Sequence, residues 1–126
     1  GGALIEIVNR GGIHLPALDL WLDPPGPRGF AFVSHAHSDH AGRHRETVLS
    51  EGTSRLMRAR LGPSPREHVM AFGETRELRG TRFTLLPAGH VRGSAQLHLE
   101  NADGSLLYTG DLKLRAGLSS ERAEWK

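Results

Sequence analysis

Short apolar stretches separated by turn-forming residues fill the first third of the chain. Residues 3–8 are apolar apart from one glutamate, and the Asn-Arg-Gly-Gly run that follows them is typical of a turn. Residues 13–22 resume an extended apolar pattern that Pro16 interrupts, which predicts a strand with an edge position or a bulge at the proline. The proline-rich loop 23–27 ends this stretch. Residues 30–34 then predict a short buried strand.

The rest of the chain predicts one helix among further strands. Thr53 is the candidate N-cap of a helix that continues to Leu61, and Gly62 followed by proline stops it. A short helix or turn is expected at 42–45. Further strands are predicted at 47–50, 68–72, 81–86, 96–100 and 105–109, with turns at 79–80 and 101–104. The pattern therefore predicts an α+β protein that is strand-rich, with few helices and with polar residues at strand ends.

Composition narrows the classes of protein that fit. At 126 residues the chain suffices for one domain or for one piece of a larger domain. It has no cysteine, so histidine and carboxylates are its only strong metal ligands. No apolar run reaches the length of a membrane span and no signal-peptide pattern is present, so we expect a cytoplasmic protein without a membrane partner. The net charge is +2, and the arginines are dispersed among acids, which is typical of a solvated surface.

A dense histidine cluster follows the predicted strand at 30–34. His35 and His37 would point to the same side of extended backbone, while Asp39 and His40 can turn toward a second ion. Neutral imidazole and carboxylate are ligands that Zn²⁺ accepts. A solvated histidine-rich loop is the alternative interpretation. The His-x-His-x-Asp-His pattern is far more restrictive than a lone histidine, so it indicates a metal-dependent hydrolase site.

Two further metal-competent side chains follow predicted strands downstream. His90 comes just after the strand at 81–86 and lies between glycines that allow close backbone approach. Asp111 follows the apolar strand at 105–109, and its two oxygens suit it to bridge two cations. A lone His or Asp in such a place is usually a cap or turn former. Three strand ends that each carry a metal-competent side chain favour one shared site.

The order of these motifs resembles the metallo-β-lactamase superfamily and, within it, the β-CASP nucleases. Residues 35–40, then His90, then Asp111 follow the superfamily's motif order, and residues 87–96 and 108–113 are similar to the β-CASP form of those motifs. Residues 22–24 resemble its first motif. Within this branch the chain resembles bacterial exonucleases associated with DNA ligase, which in turn resemble RNA 3′-end processing factors.

The resemblance implies a site for two zinc ions, with Mn²⁺ as an alternative metal. The implied ligands are His35, His37 and His90 for the first ion, Asp39 and His40 for the second, and Asp111 as the bridge. The two ions would hold a hydroxide between them for in-line attack on a phosphodiester. Asp39, which would orient or deprotonate the attacking water, and Asp111, which would bridge the ions, are therefore the implied catalytic residues. Asp23 would support the site without being a main ligand. Arg92, Lys113 and Arg115 lie beside these positions and are candidates for contacts to phosphate.

The implied function is that of a metal-dependent phosphodiesterase or nuclease acting on DNA or RNA ends, with nucleic acid as substrate and a DNA ligase as a partner. One alternative is a thioester or lactam hydrolase built on the same site, which the Gly-His-Val-Arg-Gly-Ser-Ala-Gln stretch disfavours. Another is a metal-binding paralogue without catalysis, which the filled ligand positions disfavour. The motifs do not distinguish DNA from RNA or exonuclease from endonuclease.

In this resemblance the last histidine ligand and the β-CASP insertion would lie beyond Lys126. We therefore expect residues 1–126 to be a partial domain, the N-terminal half of a metallo-β-lactamase-type αββα sandwich, and to be inactive as a nuclease by itself. The remaining histidines are expected to be structural, except that His44 is a candidate second layer around the metal ligands. The structural group comprises His14, His68 and His98.

Overall fold

The computed structural model describes residues 6–9, 12–24, 26–35, 44–62, 66–88 and 94–109, together with the backbone of 114–117 and 122–124. The strands are β1 Val8–Asn9, β2 Ile13–Leu15, β3 Leu20–Leu22, β4 Phe30–Phe32, β5 Glu46–Ser50, β6 Glu67–Met70, β7 Thr75–Leu78, β8 Thr81–Pro87, β9 Ala95–Asn101, β10 Gly104–Tyr108, β11 Leu114–Gly117 and β12 Arg122–Glu124. The helix among them is α1, Glu51–Leu61.

These strands form two sheets of six strands each. The first sheet runs in the order β1 to β6, and its members from β3 onward pair in parallel. The second sheet runs β12-β11-β10-β9-β8-β7 and is antiparallel throughout. Burial alternates along β8 and β9, as expected for strands that cover a core with one face only.

The hydrophobic core lies between the two sheets. Leu22, Phe30 and Phe32 of the first sheet share one buried cluster with Phe83 and Leu97 of the second. The opposite face of the first sheet carries a smaller hydrophobic cluster. In it, Met57 of α1 packs with Leu49 of β5 and with Val33, which follows β4. The layers therefore follow the order helix, sheet, sheet, and the predicted strand-rich α+β class is confirmed.

Helix α1 begins earlier than predicted. Ser50, not Thr53, is the N-cap: its backbone is extended, and its hydroxyl accepts a hydrogen bond from the Thr53 backbone N–H at 3.2 Å. The prediction missed it because Ser50 is also the last residue of β5, so strand and cap overlap. The predicted stop at Gly62 is confirmed, since its N–H donates to the Arg58 carbonyl and its φ is 80°.

The single extended stretch predicted at 13–22 is wrong. Residues 16–19 turn the chain, so that β2 and β3 pair as an antiparallel hairpin. Leu18 donates its N–H to the Leu15 carbonyl at 3.1 Å, and Asp19 has a positive φ of 51°. Aspartate tolerates this conformation better than most residues, and Pro16 cannot continue a ladder.

Other strand boundaries differ by a few residues. The strand predicted at 68–72 lies at Glu67–Met70, and Phe72 instead makes an isolated bridge with Leu85. Of the strand predicted at 3–8, residues 3–5 lie outside the described residues, and β1 is Val8–Asn9. Strands β7, β11 and β12 were not predicted. Within the described ranges, no helix is long and apolar enough to cross a membrane.

The turn predicted at 9–12 and the short helix or turn expected at 42–45 lie partly outside the described residues, because residues 10, 11, 42 and 43 are not described. The following predicted elements agree with the structure. Strands β4, β5 and β8 lie where apolar runs were read, and the β9–β10 hairpin turns at 102–103. Arg79 and Gly80 both have positive φ, 53° and 74°, which is the two-residue turn that matches the twist of adjacent strands.

Candidate metal centre

Asp23 follows the last residue of β3 and accepts three hydrogen bonds. Its Oδ1 receives the Ser34 backbone N–H at 2.8 Å, and its Oδ2 receives the Ser34 hydroxyl at 2.6 Å and the Tyr108 hydroxyl at 2.8 Å. The Asp23 backbone has a positive φ of 45°, an uncommon conformation for a residue with a side chain. Backbone strain of this kind persists where surrounding contacts hold the residue in place, as these three donors do.

Ser34 and His35 leave the first sheet beside Asp23. Because β3 and β4 run in parallel, residues that follow them emerge at the same edge. The Ser34 hydroxyl lies 2.8 Å from His35 Nδ1, so a chain of hydrogen bonds joins the Asp23 carboxylate to the imidazole. Ser34 is fully buried, whereas His35 is half-buried. His35 is therefore a metal-competent side chain whose Nδ1 contacts a buried hydroxyl, and that hydroxyl in turn donates to a carboxylate.

Tyr108 brings the second sheet into the same network. It is the last residue of β10, its side chain is buried in the core, and its ring packs edge-on against Phe32 at 6.0 Å between centroids. A buried tyrosine hydroxyl requires a polar partner, and Asp23 provides it. The Ala95 N–H also donates to the Ser34 carbonyl at 2.8 Å, so two contacts tie the sheets together at this edge.

The segments that carry the other predicted ligands are attached to this edge. Residues 36–43 follow His35, residues 89–93 lie between Ala88 and Ser94, and residues 110–113 follow Thr109. The ends of the middle segment meet, because the Ala88 N–H donates to the Ser94 carbonyl at 3.0 Å. These segments are outside the described residues, and with them His37, Asp39, His40, His90, Arg92, Asp111 and Lys113.

The described residues therefore contain only part of the predicted site. Asp23 and His35 lie together, linked through Ser34. The backbone of Arg115 is in β11 opposite Leu107, and its side chain is outside the description. Within the described part of the chain, no three His, Asp or Glu side chains cluster closely enough to hold a metal ion.

His44 lies beneath the surface just after the histidine-rich segment. It is 2 % exposed, and its Nδ1 accepts the Arg28 backbone N–H at 3.0 Å. Burial, with a smaller contribution from the Arg28 charge, lowers the pKa of His44 to about 4. In the described contacts His44 is therefore a neutral hydrogen-bond acceptor with a structural role at physiological pH. Its predicted role as a second layer around the metal ligands stays a prediction.

Two other histidines make structural contacts, as predicted. His14 bonds Asp19 through Nε2 at 2.9 Å and stacks on Trp21. His68 bonds Glu46 at 2.6 Å between β6 and β5. Burial alone would raise the pKa of Glu46, but the hydrogen bond and charge of His68, with nearby arginines, hold that pKa below its ordinary value.

Sequence reasoning missed Ser34 and Tyr108. Ser34 was noted only as the end of a strand, although a hydroxyl directly before a candidate ligand is well placed to orient it. Tyr108 is the chain's one tyrosine and ends an otherwise apolar strand, which was the available sign that its hydroxyl needs a buried partner. Which acceptor it meets depends on the packing of the two sheets.

Sequence comparison finds curated relatives with names from DNA repair and joining. A protein named "Probable DNA ligase" from Opitutus terrae is 54% identical over 87% of this chain. A "DNA cross-link repair protein SNM1" from Arabidopsis thaliana is 33% identical over 65% of the chain, and a "5′ exonuclease Apollo" from Gallus gallus is 32% identical over 85%. The chain spans 11%, 19% and 25% of the lengths of these three proteins. No protein-family model matches the chain.

Structure comparison identifies the same architecture. A metallo-β-lactamase with an HARLDQ motif from Cronobacter sakazakii matches with a TM-score of 0.52 and 16% identity. The match covers 85% of this chain and 60% of that protein. At this identity the similarity concerns the fold, and it agrees with two packed sheets carrying a helix on the outer face.

Proposed function

Because the chain belongs to the metallo-β-lactamase superfamily, in its β-CASP branch, we propose that it forms part of a metal-dependent nuclease that hydrolyses phosphodiester bonds at nucleic-acid ends. The observation that carries the proposal is the hydrogen-bonded chain Asp23–Ser34–His35 at the sheet edge where the ligand-bearing segments begin and end. Metal-ligating histidines in proteins typically donate their second ring nitrogen to such an outer partner. His35, the proposed metal ligand in this hydrogen-bonded chain, therefore fits a zinc site.

Chain connectivity supports convergence of the remaining ligands. Consecutive Cα atoms lie about 3.8 Å apart, so His37 and His90 are each within about 8 Å of a described residue at this edge, His35 or Ala88. Asp111 lies three residues beyond Tyr108, a reach of at most about 11 Å. Both His35 and Tyr108 are tied to Asp23, directly or through Ser34. A shared centre beside Asp23 thus requires no long excursion of the chain.

Each proposed site residue then has a distinct role. The proposed ligands are His35, His37 and His90 for one ion, Asp39 and His40 for the other, and Asp111 for both. Two bound zinc ions, or Mn²⁺ in their place, supply Lewis-acid stabilisation of the phosphodiester and activate water. Asp39 would orient or deprotonate that water in addition to binding metal. Arg92, Lys113 and Arg115 would bind phosphate oxygens, which guanidinium and ammonium groups recognise well.

The names of the relatives favour DNA as the substrate. "DNA cross-link repair protein" and "5′ exonuclease" both describe proteins that share about a third of their matched residues with this chain. The 54% identical segment belongs to a protein named a probable DNA ligase, which supports a nuclease that works together with a ligase on the same ends. We accordingly propose DNA ends as the substrate and a DNA ligase as the partner.

We propose further that residues 1–126 are one part of the catalytic domain and do not cleave DNA alone. Support comes from the resemblance, in which one more histidine ligand and the β-CASP insertion follow the matched motifs. An assay of the 126-residue chain should then show no cleavage with Zn²⁺ or Mn²⁺. Robust cleavage by this chain would contradict the proposed division of the site.

Nuclease activity is tested on the natural gene product that contains this chain. End-labelled single- and double-stranded DNA and RNA are incubated with the protein after removal of metal and after addition of Zn²⁺ or Mn²⁺. Metal-dependent cleavage is expected, with loss of activity in His35→Ala and retention in Ser54→Ala. Ser54 is a suitable control because it is a buried serine of α1 whose hydroxyl donates to a carboxylate, Glu67, that has no part in the proposed site.

Three results would contradict the proposal. Cleavage that survives metal removal would exclude the metal-dependent mechanism. Turnover of a chromogenic lactam or a thioester, without cleavage of any nucleic acid, would favour the small-molecule hydrolase. Zinc binding without any hydrolysis by the natural gene product would favour the non-catalytic paralogue.

A further inference from the structure

The hydrogen bonds around Asp23 fix which partner donates each proton. An ionised carboxylate only accepts, so all three groups that face Asp23 must donate to it. The Ser34 backbone N–H has no other possibility, and the hydroxyls of Ser34 and Tyr108 both direct their protons at Oδ2. The hydroxyl proton of Ser34 is thereby committed to Asp23.

This commitment determines the tautomer of His35. The Ser34 oxygen has no second proton to give, yet it lies 2.8 Å from His35 Nδ1. The contact is therefore a hydrogen bond only if Nδ1 carries the proton and donates it to Ser34. In a neutral imidazole protonated at Nδ1, the lone pair lies on Nε2, and that nitrogen is the one able to coordinate a cation.

We propose that Ser34 and Tyr108 are positioning residues for the metal centre, and that they act on His35 through one proton arrangement. Ser34 selects the tautomer of His35 that presents Nε2 to the metal. Tyr108 holds Asp23 from the opposite sheet and so keeps Asp23 aligned as the acceptor for Ser34. This inference rests on the proposed function, because it assigns His35 the role of a metal ligand.

A purely structural role for the same hydroxyls predicts different behaviour. If Ser34 and Tyr108 only stabilised the fold, their removal would lower the free energy of unfolding without changing the His35 tautomer. The two roles are therefore separated by measuring the protonation of each ring nitrogen directly. Metal affinity provides a second measurement that does not depend on catalysis.

The test uses long-range ¹H–¹⁵N NMR correlation of histidine rings in the metal-free protein, with the His35 signals identified by their absence in His35→Gln. The wild type is expected to show a protonated Nδ1 and an unprotonated Nε2. In Ser34→Ala the proton should redistribute toward Nε2, and Zn²⁺ affinity, measured by competition with a chelating dye, should fall about 10- to 100-fold. Tyr108→Phe, which keeps the ring, should lower the affinity by a smaller factor.

Matched controls distinguish a local effect from general destabilisation. Ser54→Ala removes the hydroxyl of a different buried serine bonded to a carboxylate, and it should leave both the His35 tautomer and Zn²⁺ affinity unchanged. A wild-type His35 protonated at Nε2 would overturn the inference, as would a Ser34→Ala variant with unchanged tautomer and affinity. Absence of any Zn²⁺ binding in the wild type would instead count against the proposed function, since the tautomer is observed without metal.

Discussion

Tyr108 and Asp23 are 85 residues apart in the sequence, and Tyr108 ends a strand of the second sheet while Asp23 directly follows a strand of the first. The Tyr108 hydroxyl nevertheless donates to Asp23 Oδ2 at 2.8 Å. This bond joins the two sheets at the edge where His35 lies. The ring of Tyr108 contributes to the core, while its hydroxyl contributes to the candidate site. One side chain therefore couples the packing of the fold to the position of a proposed ligand.

Removing only the hydroxyl should weaken the fold measurably. Tyr108→Phe keeps the edge-on packing against Phe32 but leaves Asp23 with one donor fewer. A buried hydrogen bond to a charged group contributes roughly 1.5 kcal/mol or more, so the free energy of unfolding should fall by about that amount. Urea unfolding followed by circular dichroism measures it. Equal midpoints for variant and wild type would show that the bond contributes nothing to stability.

The turn at Arg79 and Gly80 offers a test of backbone conformation alone. Gly80 has a φ of 74°, and a Cβ placed there would meet no atom within 4 Å. Gly80→Ala should therefore destabilise by about 1 kcal/mol through local backbone strain, with no clash against other parts of the structure. Gly29→Ala is the matched control, because a Cβ at Gly29 is equally unobstructed and no positive φ is involved. Similar thermal midpoints for the two variants would contradict this reasoning.

The cap of helix α1 can be verified by comparing neighbouring residues. Ser50→Ala removes the hydroxyl that accepts the Thr53 N–H and should lower stability by about 1 kcal/mol. Glu51→Ala, next in sequence, removes an exposed ion pair with Arg55 and an exposed acidic side chain from the first turn, and should change stability by only about 0.5 kcal/mol. Chemical unfolding of both variants decides the matter. A larger effect for Glu51→Ala would argue against Ser50 as the cap.

The buried His44 should make stability depend on pH. Its pKa is about 4 in the folded protein against 6.5 for the free side chain, so between these values the unfolded chain binds more protons. Stability should therefore fall as the pH decreases from about 6.5 to 4, by up to about 3 kcal/mol from this group. His44→Asn keeps an acceptor for the Arg28 N–H and removes the titration.

The measurement is urea unfolding at a series of pH values in that window. The wild type should lose stability steadily, and His44→Asn should show a flatter dependence. Glu46, whose pKa is depressed, adds a loss of the same sign at lower pH in both proteins and therefore cancels in the comparison. Parallel curves for the two proteins would show that His44 does not contribute.

Strands in which every second residue is buried were predictable from the sequence. Burial alternates from residue to residue along strands β8 to β10, and the Asn-Ala-Asp-Gly turn between the last two is specified locally. The predicted boundaries were wrong where one residue has two roles, as Ser50 does because it ends β5 and also caps α1. The β2–β3 hairpin was missed because its turn contains the buried Leu18, which reads as a continuation of the strand.

In the candidate site, the sequence indicates the proposed ligands more readily than the residues that orient them. Metal-competent residues are recognisable by type and spacing, so His35 could be proposed as a ligand from the sequence. The partner of Asp23 could not, because Tyr108 reaches it only through the packing of two sheets. Residues that orient ligands contact them across the fold, and their spacing along the chain carries no fixed pattern.

The convergence of His35, His90 and Asp111 on one metal centre is tested most directly by anomalous diffraction from crystals of the zinc-loaded natural gene product. We predict a zinc peak about 2.0–2.1 Å from His35 Nε2, with His90 and Asp111 bound to the same centre. Zinc located away from Asp23 and Ser34, or ligated by His35 without either of the other two residues, would contradict this account.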